Sequence, residues 1–304
     1  MSRRSPVAVS ALWRHHFRES VTAGALDLTD FKRSPVNFKL ALWNPQTNGV
    51  RYLKALTFLA LGQADSRALR VLGRTRRRDF GHPYSVRRGG VEACLDYAQA
   101  ALETEFILSH LPAAPRTVFE IGAGYGRTCH TLLSNSPIER YTILDLPNCL
   151  ELSRRYLHKV LPARLYARVE FVDVARLADL RGRRFDLGLN IDSFAEMTPT
   201  TVRFYLKMLD ASCGACYIKN PVGKYLDPSL DNHSQGAGVV RKALRTGLLR
   251  RVIDVYDEAT VHRQAPAFVR AYKPGPSWSA AASGWAAPWS HYWQALYLRK
   301  RKAS

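Results

Sequence analysis

VFEIGAGYGRT, residues 118–128, reads as an apolar strand that enters a turn at Gly122, Gly124 and Gly126 and leaves it as a helix. Glycines at a strand-to-helix turn let the backbone approach a ligand closely and adopt dihedrals that a Cβ forbids. A dinucleotide fingerprint needs G-x-G-x-x-G, the third glycine allowing close packing at a helix N-terminus that faces a pyrophosphate. Counted from Gly122, that third position is Arg127, so the fingerprint fails. A P-loop fails too, because no Gly-Lys-Ser/Thr follows. What remains is E-x-G-x-G-x-G, with Glu120 two places before the first glycine. A carboxylate there repels a diphosphate on the same turn and attracts an ammonium group.

Two further acids follow at strand ends. Asp145 closes YTILDL, 19 residues past Gly126, where a carboxylate can accept both hydroxyls of a ribose. Asp173 closes RVEFVDV, one strand further on. Three acids at three successive strand ends fit core packing poorly, since a buried unpaired carboxylate is costly; ordinary turn formation is the plainer account of each. S-adenosyl-L-methionine matches the set, having a positive sulfonium, an α-amino group, a ribose and no phosphate.

The same beat of strand and helix continues outward. From about residue 116, RTVFEIGAG, GRTCHTLLSN, RYTILDL, NCLELSRRYLHKVL and RVEFVDV alternate, followed by FDLGLNI, EMTPTTVRFYLKMLDAS and GACYIKN. This is how a parallel α/β sheet is built. A helix is expected over Gly238–Thr246, a strand over LRRVIDVYD and a closing strand over HYWQALYLRK, with the small-residue segment Ser277–Pro288 as a loop. The first 110 residues carry helical periodicity, in RYLKALTFLALG and VEACLDYAQAALETEFILSHL, and no strand beat. A helical N-terminal segment, 1–110, is therefore expected before an α/β domain, 111–304, with Pro112 and Pro115 ending helix continuation at the junction.

The glycine turn and the placement of the acids resemble class I S-adenosylmethionine-dependent methyltransferases. More narrowly, EIGAGYGRT, then ILDLP, then NIDSFAEM are similar to motifs of the sugar O-methyltransferases of bacterial natural-product and surface-glycan pathways. GHPYSV at 81–86 is similar to a G-x-P element of that group. The resemblance covers residues 80–210 well and the closing strand loosely. It implies a Rossmann-like fold with a mostly parallel seven-stranded sheet, its last strand antiparallel, and an N-terminal helical cap. It also implies that Glu120, Gly122, Gly124 and Gly126 surround the methionine moiety and that Asp145 holds the ribose. Leu146 would lie beside the adenine, Asp173 would face its amino group, and Asn190 would sit under the sulfonium.

Methyl transfer to oxygen is an in-line displacement in which the alcohol oxygen must sit about 3 Å from the methyl carbon. A sugar hydroxyl is a poor acid, so a general base within hydrogen-bond reach helps. FDLGLNI ends in Asp192 and Glu196, two carboxylates at the edge where open α/β sheets bind ligands. Both are candidates for base or hydroxyl anchor; helix capping by Asp192 and a first-turn acid at Glu196 are the plainer account. Asp192 also departs from the resembled group, where a small or uncharged residue is more usual. His233, in the loop SLDNHSQG, is the third candidate, with a pKa near the working range. Asp227, Asp231 and His233 are hard-cation ligand types, but their spacing is unremarkable and no metal is expected. Trp278, Trp285, Trp289 and Trp293 crowd the last thirty residues and suit either sugar rings or core.

Charge sets the remaining bounds. The 304 residues carry a formal net charge of +20, with 17 basic and 5 acidic residues in the first 90. Such an excess suits an anionic partner, although 34 of the 45 basic residues are arginine, as a GC-rich genome would also produce. No apolar run reaches the roughly 18 residues of a membrane helix. Five scattered cysteines fit a reducing cytoplasm better than a disulfide framework. A nucleic-acid methyltransferase would explain the charge, but NIDSF stands where an Asn/Asp-Pro-Pro-aromatic element is required. A cofactor-binding protein without turnover is the other alternative. The expected acceptor is a sugar-containing small molecule or glycan, anionic or nucleotide-linked if RTRRR at 74–78 with Arg87 and Arg88 serves recognition, and a homodimer is compatible with it.

Overall fold

A computed structural model describes residues 8–19, 27–29, 31–32, 49–225 and 236–300. Gly89 and Gly90 both take positive φ, 58° and 76°, and turn β1 (Ser85–Arg88) back onto β2 (Val91–Cys94). A Gly-Gly pair at positive φ matches the twist of a two-residue hairpin. The expectation of no strand in the first 110 residues is thus corrected: strands of four residues are too short to show alternation. The expected helices are present as Val50–Gly62 and Leu95–His110, with Ser66–Arg74 between them capped by the Asp65 carboxylate. The second ends at His110, just before Pro112.

Seven further strands follow: β3 (Thr117–Ile121), β4 (Arg140–Asp145), β5 (Val169–Asp173), β6 (Phe185–Ile191), β7 (Cys213–Pro221), β8 (Trp278–Trp285) and β9 (Tyr292–Arg299). They form one sheet in the order β5-β4-β3-β6-β7-β9-β8. The pairs β3–β4, β4–β5 and β6–β7 are parallel, whereas β9 runs antiparallel to both β7 and β8. The chain therefore has the Rossmann-like, mostly parallel seven-stranded sheet with an antiparallel final strand that the resemblance implies.

One strand is displaced from its expected place. LRRVIDVYD buries Ile253 and Val255 and exposes Val252 and Tyr256, which is strand alternation, yet it is not one of the sheet's strands and makes an isolated bridge between Val252 and Lys224, beyond the end of β7. The strand beside β9 is instead WSAAASGW, read from sequence as a loop. Only Trp278 in it is fully buried, so an exposed edge strand of small residues gives almost no hydrophobic pattern.

The chain divides into two compact units, residues 16–181 and residues 1–15 with 182–304. In the first, helix Leu95–His110 packs on helices Val50–Gly62, Ser66–Arg74 and Arg127–Asn135, while helix Pro147–Val160 covers β4 and β5. In the second, helix Pro199–Ser212 lies on β7 and helix Glu258–Ala271 on β8 and β9. The core is rich in tyrosine, whose hydroxyls need partners when buried. Tyr141 donates to Glu120, Tyr125 to Asp96 and Tyr217 to Gln294. All five cysteines are buried free thiols, and no helix among the described residues is long and apolar enough to cross a membrane.

Candidate functional site

The unit of residues 16–181 carries the glycine turn. Gly122, Gly124 and Gly126 have φ of 75°, 61° and 93°, so each position needs a residue without Cβ. At Gly126 a Cβ would also meet Leu157 Cδ1 at 2.9 Å. The turn is sewn by Gly122 N–H to the Leu144 carbonyl (2.9 Å) and Gly126 N–H to the Ala123 carbonyl (3.0 Å) before helix Arg127–Asn135 begins. Ala123 and Tyr125, the residues between the glycines, are buried.

The three acids have different surroundings. Asp145 is buried at the end of β4 and accepts from the N–H groups of Leu146 (2.8 Å) and Gly124 (3.2 Å), fastening the turn to the neighbouring strand. Burial raises its pKa to about 6 against those backbone hydrogen bonds, which favour the charged form. Glu120 lies inside β3, accepts from the Tyr141 hydroxyl at 2.7 Å, and is pushed by burial up to about 7. Asp173 pairs in register with Asp145 on β5, is half-buried, and accepts from Ala175 N–H at 2.8 Å, capping the turn that follows. Leu146 is half-buried at the N-cap of helix Pro147–Val160.

These residues fit the expected cofactor. A diphosphate site needs cations or free N–H groups, but Arg127, the first side chain past the glycines, turns inward to a bidentate pair with Glu103 at 2.7 and 3.0 Å. Burial works against the Arg127 charge, and Glu103 more than offsets it. What faces the turn is a backbone whose three glycines carry no Cβ, and the carboxylate of Asp145, an acceptor of the kind that hydroxyls need.

The unit of residues 1–15 and 182–304 carries the second group. Asn190, fully buried on β6, donates to Ser193 Oγ at 2.6 Å and accepts from Phe194 N–H at 3.2 Å and from Asn220 Nδ2 at 2.9 Å. Asn220, on β7, in turn accepts from Ala195 N–H at 3.0 Å. The two amides hold the 3-10 turn Ser193–Glu196 against both strand ends. Asp192 enters that turn at φ 65°, ψ −39°, a conformation costly for a residue with a Cβ, with its N–H bonded to the Lys219 carbonyl at 2.9 Å.

Register brings in side chains that sequence reasoning did not place beside Asp192 and Glu196. Because β9 runs antiparallel to β7, Tyr292 stands opposite Pro221 and Trp293 opposite Asn220. Burial, followed by the carboxylates of Asp192 and Glu196, raises the Tyr292 hydroxyl well above its usual pKa, and Asp192 hydrogen-bonds to it. The Lys219 ammonium lies 5.5 Å from the Tyr292 ring centre. His291 meets the Tyr225 ring at 5.7 Å and is held neutral, its pKa pushed down to about 4 by burial and by Lys224. Lys224 itself donates to the Ala195 carbonyl at 3.0 Å. The signal was present in KNPV and HYW, but only the antiparallel register places these stretches together.

His233, with Asp227 and Asp231, lies outside the described residues. Trp278 is core, donating to Asp210 at 2.7 Å, while Trp285 is 42% exposed and Trp289 and Trp293 are half-buried.

No family model and no curated protein matches the chain. Among solved structures it is similar to the methyltransferase domain of bacterial CtHen1, at 15% identity and TM-score 0.47, over 67% of this chain and 98% of that one. It is similar to the glycopeptide N-methyltransferase MtfA complexed with sinefungin, at 15% identity and TM-score 0.44, over 66% and 94%. A third is NcsB1, an O-methyltransferase from neocarzinostatin biosynthesis in complex with S-adenosylmethionine and 2-hydroxy-5-methyl naphthoic acid, at 14% and 0.41, over 67% and 57%. At these values the likeness is one of fold.

Proposed function

We propose that this chain is an S-adenosyl-L-methionine-dependent O-methyltransferase acting on a hydroxyl of a sugar-containing acceptor, with residues 1–110 as a helical cap and 111–304 as the methyltransferase domain. One observation carries the cofactor reading: three successive left-handed glycines whose central N–H is held by a buried carboxylate at the end of the next strand. In this reading Asp145 holds the ribose, Glu120 balances the ammonium, and Leu146 and Asp173 lie along the adenine. The Asn190 side chain is spent on the turn it fastens, so its share in the cofactor site falls to its backbone and position.

When bound, the cofactor supplies a methyl group on a positively charged sulfur. The residues of this chain must align the acceptor hydroxyl and take its proton. Asp192 and Glu196 are assigned that work, positioned by the Asn190–Asn220 pair, and Tyr292 beside them is a hydroxyl for orienting the acceptor. The sugar class is supported by EIGAGYGRT, ILDLP and NIDSFAEM.

Calorimetric titration with S-adenosylmethionine tests the cofactor, with Asp145→Ala expected to lose most of the affinity. Incubation with nucleotide sugars, glycosides, anionic glycans and tRNA, read by mass spectrometry for added methyl groups, tests the acceptor. Methylation of tRNA alone would overturn the sugar assignment, and binding without transfer to any acceptor would overturn the enzyme.

A further inference from the structure

Behind the glycine turn, within the unit of residues 16–181, a lysine is buried in a box of tyrosines. The Lys32 ammonium lies 4.6, 4.9 and 5.3 Å from the ring centres of Tyr97, Tyr156 and Tyr125, and it donates to the Tyr156 hydroxyl at 2.8 Å and the Arg78 carbonyl at 3.2 Å. The side chain is 8% exposed, and burial is what pulls its pKa down. A buried ammonium persists only where rings, acceptors and nearby charge replace its water.

The box has a direction. With Lys32 donating, the Tyr156 hydroxyl is left to donate to Tyr97 at 2.6 Å, and Tyr97 to His130 Nδ1 at 2.6 Å. His130 is kept neutral, its pKa pushed down to about 3 by burial and by the Lys32 charge, so its ring nitrogen can accept. Tyr125 joins from the turn itself: its ring meets Tyr156 edge-on at 4.8 Å and Phe31 at 5.1 Å, and its hydroxyl donates to Asp96 at 2.7 Å.

We propose that Lys32 is a positioning residue for the cofactor turn: its ammonium fixes, from behind, the ring that stands between Gly124 and Gly126, so that docking of Phe31–Lys32 sets the affinity of the turn for its ligand. This rests on the reading of the turn as the cofactor site. Gly122, Gly124 and Gly126 have no side chains with which to hold themselves, so the shape of the backbone offered to the ligand is set by where Tyr125 is anchored. The coupling is reciprocal, since whatever Lys32 adds to cofactor affinity the cofactor adds to the docking of Lys32.

The test uses the full chain, titrated by calorimetry with S-adenosylhomocysteine, as wild type, Lys32→Met and Lys32→Arg. Lys32→Met keeps the apolar stem and is expected to bind about 10-fold more weakly, with Lys32→Arg, which keeps the charge, between the two. A merely structural lysine would lower the melting temperature and leave the dissociation constant of the folded fraction unchanged; that result would overturn the proposal. A second measurement needs no variant: amide hydrogen exchange in the peptide covering residues 27–32 of the wild type should slow on ligand saturation, and unaltered exchange also counts against it. A wild type that binds neither S-adenosylmethionine nor S-adenosylhomocysteine removes the cofactor reading first and this inference with it.

Discussion

Asn220 donates its side-chain N–H to Oδ1 of Asn190 across 2.9 Å, and between them the two amides accept the N–H groups of Ala195 and Phe194. Both asparagines are fully buried, so removing either leaves a polar group without water or partner. Asn220→Ala is expected to cost about 1–3 kcal/mol in urea denaturation. Its kcat should fall further than its cofactor affinity, because the turn that loses its fastening carries Asp192 and Glu196. Equal loss in both would place Asn220 in cofactor binding instead.

Glu120 and Asp145 predict how stability follows pH. Both folded pKa values are raised by burial, to about 7 and about 6. The stability such groups contribute is full below the ordinary carboxylate range and is lost as pH rises through those values. The unliganded protein should therefore lose stability from this source between about pH 4 and pH 8. Glu120→Gln, which can still accept from Tyr141, should remove much of the slope and gain roughly 3 kcal/mol at pH 8, while its affinity for the cationic cofactor falls there. Denaturation and calorimetry at both pH values check the pair of effects; a slope unchanged in Glu120→Gln would contradict this assignment.

Asp192 separates strain from chemistry. At φ 65°, ψ −39° it occupies a backbone conformation that costs about 1–3 kcal/mol for residues with a Cβ. Asp192→Gly should therefore hold or raise the melting temperature while reducing kcat by about 100-fold or more if its carboxylate takes the proton. Asp192→Asn should share the kinetic loss without the stabilisation. Full turnover in both variants would transfer the role to Glu196 or His233.

The arginines of the first unit fall into two kinds. Arg78 donates to the carbonyls of Leu72, Thr75 and Glu92 and Arg77 to that of Lys159, whereas Arg76 is exposed. Arg67, Arg70 and Arg74 line a groove of about 220 Å³, and none has an ion-pair partner among the described residues. Arg78→Ala should cost about 1–3 kcal/mol. Arg67→Gln, Arg70→Gln and Arg74→Gln together should stay within about 0.5 kcal/mol of wild type. If the acceptor is anionic, that triple variant should lower kcat/KM at low ionic strength only, since salt screens exposed charges. An unaltered salt profile would leave the arginines as solvated surface.

Most of the sheet was legible because its strands read as short, mainly apolar runs, each reaching a polar residue at or near its end. VFEIGAG, YTILDL, RVEFVDV and FDLGLNI all have that form. The hairpin at Ser85–Cys94 and the edge strand Trp278–Trp285 were not legible, the one too short and the other too small in its side chains to show a period. Asp145 on the turn followed from strand-end logic alone. Tyr292 and His291 did not, because they arrive from the far end of the chain by insertion of β9 between β7 and β8, a long-range pairing that leaves no local trace.

That edge strand bears on how copies of the chain behave when crowded. An unpaired strand edge is a template for a strand from another molecule, and a long flat apolar one invites aggregation. Apart from the exposed Trp285 at its end, β8 presents only the small side chains of Ser279, Ala280, Ala281 and Ser283, and its pairing with β9 is interrupted by an irregularity between Ala280 and Ala282 that breaks the even spacing of its backbone groups. The weak pattern that hid this strand from sequence reading is the same property that makes it a poor template for self-association.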